Sequence, residues 1–250
     1  MPRILVALVL REMATTYGRS AGGYIWAILE PVLGVLLLTV VFSLALHKPQ
    51  LGTNFPLFYA TGFLPFTMFN SMTNRVQSSI RYSKPLLAYP AVTYIDAILA
   101  RIILNSLTHI AVMVIIFGGL FVIFQIPFVV NLGEIFEAVL MVVAIAVGVG
   151  TLNCYLISAF PIWERAWQII TRPLFLVSGV FFLFESMPMG AQNVLIYNPV
   201  LHCISQLRRG IYPTYQGSFV SPAYVFGLSA VLTLFGLLLL SRNYRNFLER

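Results

Sequence analysis

Few groups in this sequence are able to do chemistry. Glu134 and Glu137 stand one helical turn apart, a spacing that suits either shared acid–base work or a solvated helix start, where negative charge is favoured. The histidines His47, His109 and His202 fall on separate segments with no ligand spacing. Cys154 and Cys203 form no metal-type pair. The sequence contains no G-x-x-x-x-G-K-[ST] phosphate loop, and no nucleophile stands beside an orienting base. The expectation is therefore a chain with no catalytic residues, no metal ligands and no cofactor of its own.

The elements that position these groups follow from composition. Of 250 residues, 59% are apolar and only 9% charged, and mean hydropathy is +0.89. That leaves too little polar surface to wrap a soluble globule, which is usually about 25% charged. Disordered and disulfide-framework classes are excluded by the apolar content and by the two cysteines. The fold class expected is an all-α polytopic membrane protein, one transmembrane domain over residues 1–250.

Charges serve as rulers. Long stretches free of Asp, Glu, Lys and Arg lie between Glu30 and Lys48, Lys48 and Arg75, Arg101 and Glu134, Glu137 and Glu164, and Arg209 and Arg242. A spanning helix needs about 20 residues. Six transmembrane helices are expected, near 24–46, 56–78, 97–123, 135–158, 166–184 and 222–241. With both termini cytoplasmic, the inner segments hold Arg3, Arg11, Arg19, Arg75, Arg81, Lys84, Arg101, Arg165, Arg172, Arg242, Arg245 and Arg250. The outer side keeps only Lys48, Arg208 and Arg209, in line with the positive-inside bias. The stretch 185–221 is broken at Asn198-Pro199, where proline removes a donor and restrains its neighbour. It reads as re-entrant outer helices or as a loop on the outer surface. Arg11 and Glu12 interrupt the first apolar run, so no signal peptide is expected. Ile4, Leu5, Leu8 and Val9 share a helical face with Arg11 and Glu12 opposite, as in an interfacial helix.

Ionisable groups inside spans are costly and mark function. Glu30, Asp96 and Arg101 sit near span ends. His109 lies well inside one, fit for an interhelical hydrogen bond or a proton relay. Arg172 lies several residues into the fifth span and must snorkel or face a wet lumen.

One run of motifs resembles a known family. Leu10-Arg11-Glu12, Tyr17-Gly18, Gly23-Tyr24, Trp26-Ala27 and Leu29-Glu30-Pro31 resemble the N-terminal signature of polysaccharide-export ABC transporter permeases. Phe55-Pro56, Gly62-Phe63-Leu64-Pro65-Phe66, Tyr197-Asn198-Pro199 and Arg208-Arg209-Gly210 continue the match in order along the chain. The likeness is greatest to the inner-membrane permeases of capsular polysaccharide exporters, with O-antigen permeases as close relatives. Thr16 stands where a basic residue is usual, and Gln206 where an acidic one is.

The resemblance implies a homodimer in a bacterial inner membrane, bound to two copies of a separate ATPase that uses ATP and Mg, with periplasmic or outer-membrane export proteins beyond it. A lipid-linked polysaccharide is the implied substrate, and no nucleic acid is involved. The implied ATPase-coupling residues are Arg11, Glu12, Arg81, Lys84, Leu86, Leu87 and Tyr89, with apolar anchors and steering charges. Aromatic faces suit sliding contact with sugars. The expected path residues are Tyr24, Trp26, Tyr59, Phe63, Phe66, Tyr155, Trp163, Trp167 and Arg172, although such rings also form interfacial belts. The outer gate expected is Tyr197, Asn198, Pro199, Arg208 and Arg209. The rival readings are an ABC permease for O-antigen, another polymer, lipid or drug, and a membrane enzyme acting on polyprenyl-linked sugars. Asp96 is the sole aspartate, which speaks against the enzyme.

Overall fold

The computed structural model describes residues 2–17, 22–87 and 93–249. Among these residues the chain is all helix, without strands: α1 (Pro2–Tyr17), α2 (Gly23–Ala45), α3 (Phe55–Gln77), α4 (Ser79–Leu87), α5 (Tyr94–Ile123), α6 (Leu132–Ala159), α7 (Ile162–Val177), a single 3₁₀ turn Phe184–Ser186, α8 (Met189–Leu195), α9 (Pro199–Ile211) and α10 (Pro222–Glu249). Among the described residues, four segments are long and apolar enough to cross a membrane: Ile25–Ala45, Tyr94–Ile123, Leu132–Ala159 and Pro222–Tyr244.

Local sequence sets most boundaries. Thr93 and Asp96 form a capping box that starts α5, and this occupies Asp96 structurally. The Asn131 side chain accepts from the first turn of α6. At α9, Asn198 Oδ1 accepts from the Val200 amide at 3.0 Å, and Pro199 sits at the first helical position. The expected break at Asn198-Pro199 is therefore the junction between α8 and α9.

α3 and α6 form the centre. α3 packs on α6, α5, α2 and α9, and α6 also carries α10 along its length. The main core joins Phe58, Phe69, Met72, Met141, Ile145, Cys203 and Ile204, all at most 2% exposed.

Two expectations need correction. The helix expected at 166–184 runs instead over Ile162–Val177. Gly179 adopts φ +79°, a left-handed conformation that ends the helix, and a Cβ there would meet Leu201 Cδ1 at 2.5 Å. Asn198 Nδ2 also caps the end of α7, donating to the Val177 carbonyl at 3.2 Å. Secondly, α1 does not turn Glu12 to solvent. Arg11 is exposed, but Glu12 is buried against Arg101 of α5.

Candidate functional site

At the end of the fold that carries α1 and α4, one arginine holds three elements. Arg101 of α5 is 3% exposed. Its Nη1 donates to the Arg75 carbonyl at 2.7 Å and to Ser78 Oγ at 2.8 Å, across the break between α3 and α4. Its Nε lies 3.2 Å from Glu12 Oε1 on α1, an ionic contact without hydrogen-bond alignment. Its guanidinium stacks 4.4 Å from the Tyr82 ring of α4. A second link runs from α4 to α7, where Arg81 Nη1 and Nη2 donate to the two Glu164 carboxylate oxygens at 3.0 and 2.8 Å.

Along α3, carboxamides spaced at i, i+4 and i+7 make a ladder. Gln77 Nε2 donates to Asn74 Oδ1 at 2.8 Å, and Asn74 Nδ2 donates to Asn70 Oδ1 at 3.2 Å. Asn153 of α6 reaches Gln77 at 3.5 Å, and Trp163 Nε1 of α7 donates to Asn153 Oδ1 at 2.9 Å. Asn70 and Asn74 line two hollows at once. One, of about 470 Å³, lies between α3 and α7 and is edged by Phe66, Trp167, Gln168, Thr171, Arg172 and Phe175. The other, of about 540 Å³, lies between α2, α3 and α5. The face of α7 toward the first hollow carries Gln168, Thr171 and Arg172, and no residue of α7 is fully buried. A charge facing hydrocarbon at mid-bilayer costs about 2.5–3.5 kcal/mol, so this face suits a wet surface.

The opposite end is organised by Arg208, the largest fully buried side chain described. Its Nη1 donates to the Phe182 carbonyl at 3.1 Å and its Nη2 to the Val180 carbonyl at 3.4 Å. Its Nε donates to Thr61 Oγ1 at 3.4 Å, and the guanidinium lies 4.5 Å from the Phe58 ring. Carbonyls of the segment that follows α7 are thus satisfied by an arginine 26 and 28 residues later. Gly62 makes room for it, because a Cβ at that position would stand 3.2 Å from Arg208 Nη2 and 2.9 Å from Val180 Cα.

Arg209, next in sequence, turns the other way. Its Nη2 donates to Glu134 at 3.2 Å and its Nη1 to Gln206 Oε1 at 3.1 Å. Gln206 Nε2 in turn donates to Glu134 Oε2 at 2.5 Å and Glu137 Oε2 at 2.6 Å. The two glutamates are therefore a structural cluster bridged by an amide. An acidic side chain at 206 would put a third negative charge between them, which is a physical reason for glutamine there. His202 is structural too: its Nε2 is 2.8 Å from the Ile196 carbonyl, and its Nδ1 accepts from the Ser221 amide at 3.2 Å.

The structure divides the expected path residues. Trp26 and Phe63 line the α2–α3–α5 pocket, whereas Phe66, Trp167 and Arg172 border the α3–α7 groove. Phe63 and Phe66 both meet Phe175, at centroid distances of 6.1 and 4.9 Å. Tyr59 is 1% exposed and packs against Phe42 and Phe58, away from both hollows. Tyr155 is half-buried beside the small cluster of Val76, Ile80 and Cys154, and Trp163 is tied to Asn153. Of the coupling set, Arg11, Glu12, Arg81 and Lys84 lie at the α1–α4 end, with Lys84 exposed. Tyr89 lies outside the described residues, as do the side chains of Tyr24, Leu86 and Leu87. Of the expected gate, Tyr197 is exposed and its carbonyl accepts from Tyr224 Oη at 2.9 Å, while Asn198, Pro199 and Arg208 hold α9 in place. Sequence reasoning missed Asn70, Asn74, Gln77 and Glu164. Asn70 and Asn74 carried a readable signal, since they stand one helical turn apart in the charge-free run before Arg75, and Gln77 continues their face just beyond it.

Residues 3–212 match the ABC-2 type transporter family. The chain is 29% identical over 233 residues to the polysialic acid transport protein KpsM of Escherichia coli, covering 93% of this chain and 90% of that protein. It is 27% identical to the capsule polysaccharide export inner-membrane protein CtrC of Neisseria meningitidis, covering 96% and 91% of the two chains. To the capsule polysaccharide export inner-membrane protein BexB of Haemophilus influenzae it is 24% identical, over 99% and 93%.

Proposed function

Because this chain belongs to the ABC-2 type transporter family, we propose that it is the inner-membrane permease subunit of an ATP-driven exporter of capsular polysaccharide. It is a transport subunit rather than an enzyme, and it resides in the inner membrane as its relatives do. The observation that carries this reading is likeness to capsule export permeases along almost the whole chain.

The mechanism assigns six spans to α2, α3, α5, α6, α7 with its following turn, and α10, with α8 and α9 re-entrant and both termini cytoplasmic. At 23 residues α3 extends about 34 Å, enough to cross, and its polar stripe explains its lower hydropathy. Two copies line one conduit between them, since six helices leave little room to enclose a polymer alone. A separate ATPase, carrying ATP and Mg, docks on α1 and α4 at each copy. Its closure presses on α4, whose bond from Arg81 to Glu164 pulls on α7, while Arg101 keeps α1, α4 and α5 moving together. The α3–α7 groove, with carboxamides on one wall and Arg172 and Trp167 on the other, is the surface over which sugar hydroxyls pass.

Vesicles holding the permease and its ATPase, loaded with lipid-linked glycan, test this reading. Outward movement should require both proteins and ATP. Transport by the permease without any ATPase would remove it.

A further inference from the structure

Asn198 serves three helices at once. Its backbone N–H donates to the Leu195 carbonyl at the end of α8, at 2.9 Å. Its Oδ1 accepts from the Val200 amide at the start of α9. Its Nδ2 crosses to α7, where it donates to the Val177 carbonyl at 3.2 Å and to Ser178 Oγ at 3.1 Å. Val177 is the last residue of α7, and its carbonyl is among those a helix leaves without an internal donor. Ser178 is buried and passes the contact on, since its hydroxyl donates to the Leu174 carbonyl one turn back. The Ile196 and Tyr197 carbonyls, just before Asn198, are held by His202 and by Tyr224 of α10. The junction of α8 and α9 is thus one knot, and Asn198 Nδ2 joins α7 to it.

No residue of α7 is fully buried, so polar ties more than packing set its place. At its first turn these ties run from Glu164 to Arg81 of α4 and from Trp163 to Asn153 of α6. At its last turn the tie is Asn198. The backbone offers a poor route from α7 to α8. Past Gly179, the Val180 and Phe182 carbonyls are fixed to Arg208, which is anchored in the core against Thr61 and Phe58 of α3. A shift of α7 is stopped along the chain and finds its way through a side chain instead. We propose that Asn198 is a positioning residue for export, whose Nδ2 carries the movement of α7 into α8 and α9. This rests on the export reading, in which closure of the ATPase pulls α7 through Arg81 and Glu164.

The test uses the assembled permease and ATPase in nanodiscs, with one fluorophore on each permease chain. Cys154 and Cys203 are buried, so a cysteine placed at an exposed position takes the label. Ile162→Cys, at a site 77% exposed, reports the start of α7, and Val194→Cys, at a site 72% exposed, reports α8. ATP with vanadate should shift the emission of both labels in the chain that keeps Asn198. Asn198→Ser retains an oxygen that caps α9, because serine caps as well as asparagine, but it is too short to reach α7. In that chain the Ile162 label should still respond and the Val194 response should be lost, while hydrogen exchange over residues 199–203 keeps the parent rate. Ser178→Ala removes one of the two acceptors and leaves the α9 cap intact, so it should weaken the Val194 response by a smaller factor. A Val194 response of parent size in either variant overturns the proposal, as does a Val194 label silent in the parent while the Ile162 label responds. Exchange that quickens over residues 199–203 together with the loss assigns Asn198 to capping alone and overturns it too. An Ile162 label silent in the parent complex is a different failure, which removes the ATPase-driven pull on α7 and the inference built on it.

Discussion

Arg81 and Glu164 face each other fork to fork, 3.0 and 2.8 Å apart, and so tie α4 to the first turn of α7. The Arg81 side chain is 65% exposed, which limits the pair to about 0.2–1 kcal/mol. The bond from Arg81 holds the Glu164 carboxyl below the usual carboxylate range. Its stabilisation is therefore complete above the unfolded carboxyl value of about 4.3 and fades as pH falls through the lower folded value. Melting temperatures of the parent and Arg81→Ala should differ by a constant amount from neutral pH down to that range and converge in stronger acid. The charge swap R81E/E164R should restore ATP-coupled transport lost in either single variant.

Removing Arg101 should be severe. Arg101→Ala strands Glu12 and frees the junction of α3 and α4 together, and breaking a buried pair costs about 3–5 kcal/mol. Arg101→Lys keeps the charge but loses the fork. It should retain basal ATP hydrolysis by the assembled complex while losing stimulation by substrate. Paired hydrolysis and transport assays check this.

Substituting Arg208 should loosen the segment after α7 before it unfolds the whole chain. Arg208→Ala leaves the Val180 and Phe182 carbonyls without their donor, at about 1–3 kcal/mol for each buried group. Hydrogen exchange should quicken over residues 178–184. Gly179→Ala should show the same local signature, because its φ of +79° disfavours a side chain.

At the Glu134–Glu137 cluster, Gln206→Glu replaces a donor to two carboxylates with a third carboxylate. The expected outcome is a lower melting temperature at pH 7, recovering as the pH is brought down to 5 and one carboxyl takes a proton. Gln206→Met, which removes the donor without adding charge, should show no such recovery.

Asn74→Ala interrupts the ladder between Gln77 and Asn70. On the proposed path, glycan transport should fall several-fold while ATP hydrolysis by the complex persists. Equal losses of both would assign Asn74 to packing instead.

Much of the helix layout was legible in the sequence. Charge-free runs place α2, α3, α5 and α6 within a few residues of their observed limits, because a charge cannot easily enter hydrocarbon; α10 starts where expected, at Pro222, but continues past 241 to Glu249. The α8–α9 junction was legible at Asn198-Pro199, where a missing donor forces the break. The end of α7 was not. It depends on a left-handed glycine and on the Asn198 side chain 21 residues away, and no local pattern encodes the second. Arg208 and Arg209 read identically as neighbours, yet one is sealed in the core and the other pairs at the rim. Glu12 likewise drew its partner from another helix.

With 16 residues, α7 rises only about 24 Å, against a hydrocarbon layer of about 30 Å. On the proposed reading, in which α7 and its following turn make one crossing, a thinner bilayer suits this short helix better, and the strain should depend on acyl-chain length. Shorter-tailed phospholipids ought then to raise this chain's thermal tolerance and turnover together, making membrane thickness a setting of the exporter.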